Sequence, residues 1–367
     1  MGRQYKVVDS DGHVCEPPDL WVRYIASEYK DRAPRLVKCP DGEERLNIDG
    51  KMGGQGIRRA GAVGAREGKP YPKTYLDGIK GGFDPHARIK DLDLDGIDAV
   101  ILYPSMGLFS GSVDDPKFAA ALCRAYNTWL AEEYCSPYPD RLFGVAMLPM
   151  QSVELAVEEL KFARNKLGLR SAFIRPNPYN NRLLSNPDYN PLWAAAQDLD
   201  MPIGLHEGTG GMPAASRDRV LGNTPAHIAS HTVEMMLACL NLIWNGVCDR
   251  YPRLRFAFLE SGGGWMAPWL DRMDRHYDDR TFRADPPPPL RPSEYFERQC
   301  WITFEPAEKT LAMHAEYLGA HKVMWATDYP HNDGWFPGAP KMIADKLKEP
   351  IRSKVLGESA AILYKLG

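Results

Sequence analysis

Tyr5-Lys-Val-Val-Asp9-Ser-Asp11-Gly-His13-Val-Cys-Glu16-Pro-Pro-Asp-Leu-Trp21 is the stretch on which the reading of this chain turns. Its short apolar run, rich in β-branched residues, predicts a buried strand. The run gives way at once to Asp9, Asp11, His13 and Glu16. Side chains alternate along an extended chain, so Asp9, Asp11 and His13 are expected on one side, converging on one point. Three carboxylates and an imidazole beside a buried strand are costly to desolvate unless something positive binds them. A divalent metal ion meets that need. A helix cap followed by a polar turn is the plainer reading of the same residues.

Outward from this stretch a rhythm sets in. Helices are expected at 87–94, 118–134, 153–167, 191–199, 233–244, 265–277 and 307–318. Short apolar strands are expected at 98–103, 142–148, 171–175, 202–206, 256–260, 301–305 and 323–327, with closing helices at 341–347 and 357–364. With the first strand that makes about eight strands separated mostly by helices, which implies parallel pairing. An α/β fold follows: a distorted (β/α)8 TIM barrel, one domain over residues 1–367, with a long insertion after strand 1. A doubly wound open sheet is the alternative, but Gly262-Gly-Gly264, the nearest approach to a phosphate-binding loop, lacks the required spacing. Asp285-Pro-Pro-Pro-Pro-Leu290 reads as a stiff surface spacer. The insertion, residues 24–85, is rich in glycine, with Arg58, Arg59 and Arg66 followed by Tyr71 and Tyr75. So long an irregular segment predicts a lid or binding loop over the mouth.

Bulk properties narrow the classes of function. The chain is 44% hydrophobic and 25% charged with a formal net charge of -3, so it is globular and has no electrostatic case for nucleic acid or an anionic membrane as partner. No apolar stretch approaches the length of a membrane span. The first strand begins within five residues of the start, without a signal-peptide pattern, and a cytoplasmic protein is expected. Seven cysteines without a CxxC pair read as buried thiols, Cys15 included.

Barrel enzymes carry their chemistry at the C-terminal ends of the strands. Here those ends carry Asp11 and His13, His206, Glu260, Glu305 and Asp328. Two imidazoles among several carboxylates suit a first-row divalent ion.

At this point the chain resembles the amidohydrolase superfamily, specifically the branch with aminocarboxymuconate-semialdehyde decarboxylase and γ-resorcylate decarboxylase. The motifs are Asp9-Ser-Asp11-Gly-His13-Val-Cys-Glu16-Pro, Arg88 to Pro104, Leu205-His206-Glu-Gly, Tyr251-Pro-Arg-Leu-Arg255 to Leu270, and Thr327-Asp328-Tyr-Pro-His331. The resemblance spans nearly the whole chain. It implies metal ligands at Asp11, His13, His206 and Asp328, with Glu16 and Glu260 as candidates for the same ion or a second one. Two departures stand out: the ligand set is richer in oxygen, and the usual bridge is absent. Asp11 occupies a position where the family has histidine, and Glu260 stands where the decarboxylases have histidine. Strand four ends at Phe173-Ile-Arg175, so the lysine that bridges two metals in the hydrolases is missing. The oxygen-rich set favours iron or manganese, with zinc compatible. Asp328 is the expected general base, with His331 or His231 polarising the substrate. Arg88, Arg175 and Tyr75 are expected to bind it. His227 is read as surface or structural.

The leading expectation is a metal-dependent hydrolase, in which activated water attacks an ester, thioester or amide carbonyl of a small carboxylate-bearing substrate. Non-oxidative decarboxylation is the first alternative, and a dinuclear Fe or Fe/Mn oxygenase (hydroxylase) the second. The resemblance also implies a homodimer, or a dimer with a related subunit.

Overall fold

The structure is a computed structural model that describes residues 4–53, 56–208, 219–279, 281 and 288–367. Gly54 and the start of the proline spacer, residues 285–287, lie outside the described residues.

Strand β1 (Val8–Val14) is followed by a small antiparallel sheet of β2 (Arg35–Lys38), β3 (Glu44–Ile48) and β4 (Lys51–Met52). Then come β5 (Ala99–Pro104), β6 (Leu142–Met147), β7 (Ser171–Ile174), β8 (Ile203–Leu205), β9 (Phe256–Phe258), β10 (Cys300–Phe304) and β11 (Val323–Trp325). β1 and β5 to β11 form an eight-stranded parallel sheet in sequence order, the expected barrel. Every residue of β1, β5 and β7 to β11 is buried. Strands covered on both faces must be apolar throughout, which is why they read as continuous runs.

The seam between β11 and β1 is closed beyond the strand ends. The Asp328 N–H donates to the Asp11 carbonyl at 3.0 Å, and the His13 N–H to the Tyr329 carbonyl at 2.6 Å. The Asp9 carboxylate accepts from the backbone N–H and the hydroxyl of Thr327. The register of β1 against β5 shifts between Asp9 and Gly12. That irregularity breaks the alternation, so Asp9 joins the seam and not the cluster formed by Asp11 and His13.

The insertion is more ordered than its composition suggests. β2 to β4 and a series of short turns wall the barrel mouth, and the segment is fastened to the loop after β11. Val63 N–H donates to the Pro330 carbonyl, and the Arg66 guanidinium lies 3.8 Å over the Trp335 ring. The helix expected at 233–244 begins ten residues earlier and spans Asn223–Ile243, because its first turns are polar and face the mouth. A helix at Pro292–Gln299 was not expected; proline at its first position starts it directly after the spacer. All seven cysteines are free. Among the described residues no helix is long and apolar enough to cross a membrane.

Candidate metal centre

The barrel delivers five side chains to one point. Asp11 and His13 come from β1, His206 follows β8, Glu260 follows β9 and Asp328 follows β11. His13 Nε2 and His206 Nε2 face each other at 3.1 Å. Asp11 Oδ1 lies 3.5 Å from both nitrogens. Asp328 Oδ1 is 3.4 Å from His13 Nε2, and Glu260 Oε2 is 3.0 Å from His206 Nε2. Asp11, His13 and His206 are fully buried.

The backbone fixes how the imidazoles present themselves. His13 Nδ1 is 2.8 Å from the Pro104 carbonyl and His206 Nδ1 is 2.7 Å from the Glu207 carbonyl. A carbonyl only accepts, so each Nδ1 carries the hydrogen, and the Nε2 lone pairs are free to converge. Both oxygens of Asp11 and Oδ1 of Asp328 are buried without a hydrogen-bond partner. Buried carboxylate oxygens without a hydrogen-bond partner beside converging imidazoles form a donor set suited to a cation, and the residues fit a divalent ion.

The charge balance agrees. Burial works against a charge on His206, but Asp11 and Glu260 outweigh it and hold its pKa well above the usual range. Burial tends to raise Glu260, yet His206 and His231 hold it well below. His13 is held well below its usual value by burial and by the neighbouring histidines. Burial raises Asp11.

Beside this cluster, His331 Nδ1 lies 2.7 Å from Asp328 Oδ1, in a bent contact that leaves the oxygen without a straight hydrogen bond. Ser105 Oγ donates to the Val14 carbonyl and so accepts from His331 Nε2 at 2.8 Å. One further proton therefore belongs to the Asp328–His331 contact. Burial opposes a charge on His331, but Asp328 outweighs it and pushes the pKa up to about 9. Burial also raises Asp328 well above the carboxylate range, against the pull of His331. Asp328 and Glu260 both have positive φ, 53° and 43°. That backbone is strained for residues other than glycine, asparagine or aspartate, and such strain gathers at functional sites.

A cavity of about 460 Å³ opens over the cluster. Leu46, Ile48 and Ile57 of the insertion and Leu108 and Phe109 after β5 form its apolar wall, while His231, Glu260 and His331 reach it from below.

Four residues expected at the site are placed elsewhere. Glu16 does not join the cluster: its carboxylate accepts from the backbone N–H groups of Ser105, Met106 and Gly107. Tyr75 is buried and donates to the Glu16 carbonyl. Arg88 donates to the His13 carbonyl and stacks on Tyr329 at 4.0 Å, behind β1. Arg175 is buried in a paired contact with Glu207 and also donates to the Gly208 carbonyl. None of Tyr75, Arg88 and Arg175 lines the cavity among the described residues. The sequence reading missed Ser105, His227 and Asp333. The four-residue spacing of His227 and His231, which puts both on one helix face, was the available signal for His227.

Comparison with known proteins places this architecture. The sequence profile of the amidohydrolase family matches residues 78–366. The chain belongs to that family. Within the amidohydrolases its curated relatives include γ-resorcylate and aminocarboxymuconate-semialdehyde decarboxylases. The γ-resorcylate decarboxylase of Rhodococcus jostii (strain RHA1) is 28% identical over 321 residues, 80% of this chain and 92% of the relative. Among solved structures, an amidohydrolase from Mycobacterium avium subsp. paratuberculosis K-10 superposes with a TM-score of 0.80 at 19% identity, over 99% of this chain and 100% of that one. A dihydroxybenzoic acid decarboxylase from Polaromonas sp. JS666, with bound manganese and 2-nitroresorcinol, gives 0.68 at 21% identity, over 99% and 98%.

Proposed function

We propose that this amidohydrolase is a metal-dependent decarboxylase of an aromatic or unsaturated carboxylic acid. The observation that carries the reading is the 2.7 Å contact between His331 Nδ1 and Asp328 Oδ1, which puts a base and an acid within proton-transfer distance at the edge of a buried imidazole–carboxylate cluster. The sequence alone put hydrolysis first; the named activities of the curated relatives support decarboxylation instead.

Asp11, His13, His206 and Asp328 are the residues that would hold a divalent ion, with Glu260 beside them. Manganese or iron suits this oxygen-rich set, and the manganese of the Polaromonas neighbour supports the first. A bound ion would supply the positive charge that anchors the substrate's carboxylate and an adjacent oxygen. The bond between the substrate carbon and its carboxylate breaks, carbon dioxide leaves, and the electron pair remains on the carbon. That carbon then takes one proton, so no oxidant or reductant is needed. Asp328 delivers it, with His331 as the reservoir and Ser105 fixing the His331 ring. Ile48, Ile57 and Phe109 keep water from the departing carboxylate and suit a flat ring.

The test is a manganese-loaded protein offered ortho-hydroxybenzoates, 2,6-dihydroxybenzoate first, in deuterated water, with a simple aryl ester in parallel. Carbon dioxide release with deuterium at the vacated carbon is the expected result. Ester turnover without carbon dioxide would return hydrolysis to first place.

A further inference from the structure

The helix Asn223–Ile243 brings a second group of ligands to the mouth. His227 and His231 lie one turn apart with their rings stacked, centroids 4.1 Å apart. His231 Nδ1 is 3.1 Å from the His227 carbonyl, which again places the hydrogen on Nδ1. Its Nε2 lone pair then faces the cavity, 3.6 Å from Glu260 Oε1. That is lone pair against carboxylate oxygen, and too long for a proton between them. The other oxygen of the same carboxylate, Oε2, touches His206 of the first cluster at 3.0 Å.

Asp333, in the loop after β11, completes the set. Its Oδ2 is 3.5 Å from His227 Nε2, and Arg66 of the insertion donates to its carbonyl. Ligand atoms of His227, His231 and Glu260 lie within 4.8 Å of one another, and so do those of Glu260, Asp328 and Asp333. All four of His227, His231, Glu260 and Asp333 border both the main cavity and a neighbouring one of about 340 Å³ behind it. Glu260, whose φ is positive at 43°, faces His206 with one oxygen and His231 with the other.

We propose that the chain holds a second divalent cation on His227, His231, Glu260 and Asp333, with Glu260 shared between the two sites. Two imidazoles and two carboxylates select a first-row transition ion over calcium or magnesium, which prefer oxygen alone. The site depends on the first cluster through Glu260 and is independent of whether the reaction is decarboxylation. It differs from a lysine-bridged pair, since the bridge comes from the end of β9 and the second set of imidazoles from one helix.

The experiment loads full-length protein with manganese(II) chloride, then measures bound manganese per chain by mass spectrometry and the electron paramagnetic resonance spectrum. The wild type is expected to bind two ions with an exchange-coupled spectrum. His231→Ala is expected to bind one, with an uncoupled spectrum, and so is His13→Ala, through the remaining site. His227→Gln, at a partly exposed position that tolerates change, is expected to weaken the second ion while the melting curve stays near wild type. A wild type that saturates at one ion lost in His13→Ala and kept in His231→Ala overturns the second site and leaves the first standing. Two ions retained in both His231→Ala and His227→Gln overturn it as well.

Discussion

Gly12 separates the two metal-facing residues of β1, and its replacement by alanine tests how the site is held. A Cβ at this position would lie 2.5 Å from Arg88 Nη2, 2.6 Å from Val100 Cγ2 and 3.1 Å from Asp9 Oδ2. The first two contacts are roughly 1 Å short of ordinary packing. Arg88 cannot swing clear. Its Nη1 donates to the His13 carbonyl, its guanidinium lies over Tyr329, and the side chain is buried. Val100 belongs to the adjacent strand β5. The strand carrying Gly12 must therefore move, and Asp11 and His13 move with it. Overpacking of this kind costs about 1–3 kcal/mol of stability. A shift approaching 1 Å in two ligands costs turnover about 100-fold. Urea unfolding gives the first quantity, and manganese titration with steady-state kinetics gives the second. If Gly12→Ala unfolds at the wild-type midpoint and binds metal with unchanged affinity, the account of β1 as a rigid carrier boxed in by Arg88 is wrong.

Four further outcomes follow from the geometry. Asp328→Asn keeps a residue that tolerates the positive φ but removes the proton carrier, so kcat should fall about 100- to 10,000-fold while circular dichroism stays native. Chelation of the purified protein should lower its melting temperature, and added manganese should restore it in a concentration-dependent way, because the ion binds only the folded cluster. Glu16→Ala strips the partners from the N–H groups of Ser105, Met106 and Gly107 and should cost about 2–5 kcal/mol in chemical unfolding, with metal per folded chain unchanged. Burial, then Glu308 and Glu260, pushes Glu305 up to about 7 from 4.5. Between those values the folded state keeps a proton that the unfolded state has released, so stability falls as pH rises through that window, by at most about 3 kcal/mol. Glu305→Gln should flatten this slope and match the wild type near pH 4.5.

The barrel and most of the cluster were legible in the sequence for one physical reason. Parallel strands buried on both faces leave unbroken apolar runs, and an ionisable residue just past such a run has nowhere inexpensive to go. His206, Glu260 and Asp328 each follow a run of that kind, and all three converge with Asp11 and His13. Glu305 follows one too, but among the described residues it belongs to no group of metal-ligand spacing. The pattern marks burial, and convergence depends on which way the chain turns after the strand.

What escaped the sequence depends on backbone groups, which carry no letter. Glu16 follows β1 by two residues, close in sequence to His13, yet three N–H groups beyond β5 hold its carboxylate, and nothing in residues 105–107 announces them. Asp9 was expected beside Asp11 because strict alternation was assumed; the irregularity before Gly12 sends it to Thr327. Arg88 was expected to bind substrate from the family resemblance and Arg175 from its place at the end of strand four, but each donates to carbonyls or a glutamate of its own scaffold. The small sheet of the insertion did carry a signal, an Asp41-Gly42 turn between two short runs, but its strands are too brief and too polar for periodicity to stand out.

Glu260 stands where the family resemblance implies a histidine, and its carboxylate does what an imidazole could not. An imidazole at this position would offer one lone pair to one partner. A carboxylate offers two oxygens on opposite sides, and here one faces His206 while the other faces His231. The substitution therefore extends the cluster toward the helix Asn223–Ile243. A second binding group is useful there only if the residue can turn away from the strand axis, which its positive φ achieves. The two-faced carboxylate and the two stacked histidines one turn apart are separate features of the chain. The proposed shared cation site accounts for both, whereas a lone ion pair with His206 leaves the second oxygen and the stacked pair unexplained.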